Sequence, residues 1–181
     1  MKKLFLFMLL TLSLYACSQP ETNEPEPETT PVDSVANMPE SMPDDFDFSI
    51  QFGVGKNNEI NTFEGTVTKD LIENGTATAE ISLTEEEMNQ IYEKMKEINI
   101  KEPKEFTPEP VDGTICSVEP HEEDAWEIIV NGETITHSVS GAYCEPTEDT
   151  KEFIGLRDDV FSIVKEKDAY KALPDAKGGY E

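Results

Sequence analysis

Residues 126–139 read WEIIVNGETITHSV, and the fold turns on that stretch. Trp126, Ile128 and Val130 recur at every second position before Asn131-Gly132, and Ile135, His137 and Val139 do so after it. A period of two places side chains on one face of a strand. Asn-Gly accepts the positive φ angles of a two-residue hairpin turn better than almost any other pair. Such a turn sets Ile128 opposite Ile135 and Trp126 opposite His137. The predicted unit is an antiparallel hairpin with one apolar face, which needs a second layer to cover it.

Working outward, the same period appears earlier. Phe46, Phe48, Ile50, Phe52 and Val54 alternate with Asp47, Ser49, Gln51 and Gly53, predicting a half-buried strand. Gly55-Lys56-Asn57-Asn58 turns the chain. A second strand is expected from about Ile60 to Glu73, bent near Gly65. Asn74-Gly75 marks another hairpin, followed by alternation at Ala77, Ala79, Ile81 and Leu83. Thr114–Val118 reads as a short strand ahead of the 126–139 hairpin. Lys101–Pro110, with Pro103, Pro108 and Pro110, reads as a loop.

Two helices supply the covering layer. Thr84 with Glu87 three residues on forms a capping box, and Leu83 with Met88 has staple spacing. Glu85, Glu86 and Glu87 suit the positive end of the helix dipole, and Lys94 and Lys96 the negative end. Met88, Ile91, Met95 and Ile98 form the apolar stripe, with Tyr92 at its margin. The second helix is expected from about Glu148 to Glu166, with Phe153, Leu156, Val160 and Ile163 on one face and a further turn at Ala169–Leu173. The predicted class is α+β: an antiparallel sheet with two helices packed on one face, in the order βββα-βββα.

The N-terminus has a different character. Lys2 and Lys3 precede an apolar run from Leu4 to Leu14, too short as a helix to cross a hydrocarbon core of ~30 Å and apt for a signal segment. The run ends in Leu14-Tyr15-Ala16-Cys17, which resembles the lipobox of bacterial lipoprotein precursors. That resemblance implies a diacylglyceryl group on Cys17 and cleavage just before it, with Tyr15 larger than the pattern prefers. Residues 52–70, the helix LTEEEMNQIYEKM and the ending LPDAKGGYE resemble uncharacterised lipoproteins of Bacillus-type Gram-positive bacteria. The organisation implied is a signal peptide at 1–16, the lipidated cysteine with a disordered acidic, proline-rich linker at 17–45, and one extracytoplasmic domain at 46–181. The expected location is the outer face of the cell membrane, with two acyl chains giving stable anchoring. Residues 18–45 hold six of the 12 prolines and eight acids but no base, a composition that cannot offset its ordering entropy.

Charge narrows the function. The chain of 181 residues has 39 acidic and 14 basic groups, for a net charge of −25. Loss of residues 1–16 removes two lysines and leaves 12 basic groups, or −27. With Arg157 as its one arginine, the chain lacks the basic face that nucleic acid requires. Gly53-Val54-Gly55-Lys56 fails the spacing of a phosphate loop, and no helix follows it. His121-Glu122-Glu123-Asp124 with His137 holds ligand-type side chains, but the spacing is not that of a metal site, and no metal or cofactor is expected. No nucleophile motif is present, so no catalytic residue is assigned. Cys116 and Cys144, the cysteines left once Cys17 is lipidated, are expected to form a structural disulfide outside the cytoplasm. The function these features imply is a lipid-anchored domain acting by contact with a protein partner at the cell surface. The alternative is an anionic binding protein for a cation or a cationic small ligand.

Overall fold

The computed structural model of the chain describes residues 37–181. Alternating apolar residues build four successive antiparallel strands, β1 (Asp47–Phe52), β2 (Asn58–Asn61), β3 (Thr66–Asp70) and β4 (Thr76–Glu80). Helix α1 (Glu85–Glu97) leads back to β5 (Glu123–Val130) and β6 (Glu133–Ser140), and the chain closes with α2 (Glu148–Val164) and the short α3 (Asp168–Lys171). The six strands form one sheet in the order β4-β3-β2-β1-β5-β6, with every neighbouring pair antiparallel.

The α+β class holds, while the order βββα-βββα does not. The long second strand expected from Ile60 to Glu73 is two strands. Gly65 takes φ +63°, the Asn61 side chain accepts a hydrogen bond from Glu64 N at 3.1 Å, and the chain reverses between β2 and β3. The next reversal, around Asn74-Gly75, is a wider loop: Asp70 pairs with Thr76, and Leu71 N donates to Gly75 O. Strand β4 ends at Glu80, so Ile81 and Leu83 lie beyond it. Thr114–Val118 is not a strand either. Its residues are exposed and make only isolated bridges, Val111 to Thr114 and Ser117 to Tyr143. Without a buried face, this short run has no packing to hold it in a ladder.

The 126–139 hairpin has the register its turn demands. Trp126 lies opposite His137 and Ile128 opposite Ile135, with Asn131 at φ +52° and Gly132 at φ +73°. Phe48, Ile50, Phe52, Ile60, Val67, Trp126, Ile128, Val130 and Val139 share one face of the sheet. They join Ile91, Tyr92 and Met95 of α1 and Phe153, Leu156, Val160 and Val164 of α2 in one hydrophobic cluster. The two long helices, α1 and α2, are capped at their starts. Thr84 and Glu87 make both hydrogen bonds of the capping box, and Thr147 accepts from Thr150 N at 3.1 Å.

The packed body starts before Phe46. Met38 is buried and Met42 packs against the cluster. Tyr92 is fully buried instead of lying at the margin of its helix, and its hydroxyl donates to Pro39 O at 2.7 Å. Lys96 reaches Glu40 O at 2.7 Å, and the Asp45 carboxylate accepts from the turn amides of Asn131 and Gly132. The linker expected over 17–45 is therefore ordered against the domain from Met38 to Asp45. Two methionines and a buried tyrosine outweigh the prolines there. Its remaining part, with Cys17 and the segment 1–16, lies outside the described residues.

Candidate functional site

Strand β5 carries an acid on the wrong side. Asp124 has the same parity as Trp126, Ile128 and Val130, so the pleat turns its carboxylate inward, where the residue is 2% exposed. Across from it, Arg157 lies one helical turn past Phe153 and three residues before Val160, on the buried side of α2. Its Nη1 donates to Asp124 Oδ1 at 3.1 Å and to Glu122 Oε2 at 2.8 Å, while Nε and Nη2 both donate to Asp158 Oδ1. The guanidinium also stands 5.8 Å from the centre of the Phe52 ring.

One guanidinium thus serves three carboxylates. Burial pushes the Asp124 carboxyl up to about 6; Arg157 opposes the shift, and Glu122 and Asp158 reinforce it. Burial acts to lower the pKa of Arg157, but Asp124, Glu122 and Asp158 together hold it above its ordinary value. Three buried side-chain atoms among the described residues, Asp124 Oδ2, His121 Nδ1 and Trp126 Nε1, have no hydrogen-bond partner in the protein. An unpartnered buried carboxylate oxygen is costly, and such groups are rare in native folds.

A cavity of about 280 Å³ lies beside this cluster. Asp124, Glu122 and Arg157 line it together with His121 and the apolar side chains of Val118, Pro120, Val139 and Ile154. Its outer wall is the loop that the disulfide holds. Cys116 and Cys144 are bonded with their Cα atoms 5.5 Å apart, Cys144 N donates to Cys116 O, and Val118 N donates to Ala142 O at 2.8 Å. Gly141 allows the strand end to approach closely: its N donates to Glu122 O, and a Cβ there would lie 3.0 Å from that oxygen.

The expected cluster of His121, Glu122, Glu123, Asp124 and His137 is divided. Strand alternation sends Glu123 to the opposite face, where it pairs with Lys56 at 2.9 Å. Glu119 Oε2 lies 3.0 Å from His121 Nδ1 but out of line for a hydrogen bond. His137 packs edge-on against Phe153 at 4.8 Å and contacts Ile100 O through Nε2 at 2.7 Å; burial lowers its pKa. Among the described residues, no group of three or more His, Cys, Asp or Glu is placed to hold a metal ion. Gly53–Lys56 forms a turn between β1 and β2. Arg157 is buried although the sequence reading assigns it no role; its spacing from Phe153 and Val160, which places it on the apolar stripe, is the signal for that burial.

The other face of the sheet is uncovered by α1 or α2 and wholly different in chemistry. The register lines up Thr78, Thr68, Glu59, Gln51, Ala125 and Ser138 in one row, and Glu80, Thr66, Asn61, Ser49, Glu127 and Thr136 in the next. Asp47, Glu59, Glu80 and Glu127 stand on this face, and no lysine or arginine does among the described strand residues. Lys69 points to the core side, 5.4 Å from the centre of the Tyr170 ring. A shallow depression of about 750 Å³ runs over Ser49, Gln51, Glu59, Glu127 and Thr136, with Phe63 at its rim, 39% exposed. No known protein family, curated protein or solved structure matches the chain.

Proposed function

We propose that the protein is a lipid-anchored extracytoplasmic domain that acts by protein contact at the cell surface, without catalysis. The observation that carries this reading is the open face of the sheet, an array of hydroxyl, amide and carboxylate groups bearing Asp47, Glu59, Glu80 and Glu127. No lysine or arginine stands among the described strand residues of that face, and Lys56, from the turn after β1, is paired to Glu123 at its edge. Charge of one sign over a broad face steers association and selects a partner of the opposite sign. The partner is accordingly a protein with a basic surface, and nucleic acid is excluded by the same charge. Cys17 carries the lipid, and the membrane enters only through that anchor. Among the described residues no helix is long and apolar enough to cross a membrane.

Site-specific photocrosslinkers at Gln51 and Thr136, on intact cells, test the reading against a control crosslinker at Asn89 on α1. The expected result is one discrete protein adduct from the two sheet positions, lost with the paired change Glu59→Lys and Glu127→Lys. No adduct from the sheet positions, or the same adduct from Asn89, sinks it.

A further inference from the structure

We propose that the cavity between β5, α2 and the disulfide-held loop is a binding site for a small primary amine in its ammonium form. The site lies on the core-facing side of the sheet, opposite the acidic face, and is independent of the protein-contact reading. It begins with Asp124, nine-tenths and more buried, whose Oδ2 has no partner although its Oδ1 takes Arg157. The charge of the site sets the sign of the ligand. Asp124, Glu122 and Asp158 surround one guanidinium, leaving a local excess of two negative charges. Arg157 directs Nε, Nη1 and Nη2 at those carboxylates, so it is not presented to an anion.

The shape sets the rest. Val118, Val139 and Ile154 give the cavity apolar walls, which favour an aliphatic body over a hydrated metal ion. A volume of about 280 Å³ falls just below the range of drug-sized ligand pockets, which run from roughly 300 to 1,000 Å³, and so calls for a small ligand. An ammonium group brings three donors to one point, enough to satisfy Asp124 Oδ2 and a Glu122 oxygen together. A short alkylamine fits all three constraints: one positive charge, a small volume and an apolar tail.

Isothermal titration calorimetry on the full chain in non-ionic detergent tests this, with n-butylamine hydrochloride as the probe. Controls are n-butanol and tetramethylammonium chloride at matched ionic strength. Saturable one-to-one binding of the amine is expected, with no heat of binding from either control. Asp124→Asn should weaken it at least tenfold. Val118→Trp should do the same by blocking the cavity from its exposed wall without touching the ion pairs, so it decides the matter if Asp124→Asn fails to fold. Absence of saturable binding, equal binding of butanol, or unchanged affinity in Val118→Trp overturns the proposal. Loss of binding with Glu59→Lys and Glu127→Lys but not with Val118→Trp would move the amine to the open face and overturn it equally.

Discussion

Arg157 Nη1 meets Asp124 Oδ1 at 3.1 Å where the two residues are 8% and 2% exposed. They are the two ends of a buried charge pair that joins α2 to β5, the first strand of the β5–β6 hairpin. The remaining oxygen of Asp124 has no partner, so the pair is held by one contact on that side. Its energetics give two predictions.

The first concerns pH. Asp124 titrates at about 6 in the folded chain against an ordinary value of 3.8, because burial disfavours its charged form. The folded state therefore holds the proton more tightly than the unfolded state. This residue's contribution is most favourable below about pH 4 and is lost as pH rises through 6, by an amount on the order of 3 kcal/mol. Urea unfolding of the wild type and Asp124→Asn at intervals from pH 4 to pH 8 measures it. The two stability curves should converge at low pH and separate above pH 6 in favour of the variant. Curves that stay parallel contradict the assignment.

The second concerns the cation. Arg157→Met leaves Asp124 buried without its counter-charge, which typically costs about 3–5 kcal/mol. Adding Asp124→Asn should restore most of the loss, since the uncompensated charge is then gone. Chemical denaturation of both variants at pH 7.5 checks this; a double variant no more stable than Arg157→Met would show that packing, not charge, was lost.

The packed segment ahead of β1 gives a third. Tyr92→Phe removes the hydrogen bond to Pro39 O and should cost about 1 kcal/mol. Limited proteolysis of the wild type should leave a resistant fragment that begins before Met38, as N-terminal sequencing would show. A fragment beginning at Phe46 would mean that the segment does not hold in solution.

A fourth follows from the disulfide. It closes a loop of 27 residues between Cys116 and Cys144, worth roughly 3–4 kcal/mol through restriction of the unfolded chain. Both cysteines are exposed, so a reductant should reach the bond without unfolding the domain. Each single Cys→Ser variant should lose a similar amount and the double variant no more, because one bond is broken in every case. Losses that add would mean the two thiols act separately.

A fifth tests the address. Mass spectrometry of the mature N-terminal peptide should show a diacylglyceryl group on Cys17, and Cys17→Ala should release the chain from the membrane fraction with residues 38–181 still folded. A free thiol at Cys17 would remove the anchor from the proposed function.

Several elements were legible as local chemistry. The alternation in Phe46–Phe52, the Asn131-Gly132 turn with its register, and the Thr84–Glu87 capping box each depend on residues within a few positions of one another. The Cys116–Cys144 bond was legible by counting, because lipidation of Cys17, as the sequence reading expects, would leave two cysteines to pair. The break at Gly65 was harder to see, because a glycine inside an apolar alternation fits either a bend in one strand or the end of it. The strand expected at Thr114–Val118 failed for a related reason: short apolar runs become strands only when a neighbouring surface buries them.

Local pattern by itself decided the strands around the hairpins, the helix starts and the overall class, because backbone conformation there answers to nearest neighbours. Tertiary structure alone decided the rest. Met38 to Asp45 is ordered because Tyr92, more than fifty residues away, supplies a buried hydroxyl and the hairpin turn supplies two amides. Asp124 and Arg157 form a site because α2 crosses the sheet where an inward-facing acid lies on β5, 33 residues earlier in the chain. Parity and helical phase place each group on a face; which faces then meet depends on how the whole core packs, and no window of sequence contains that.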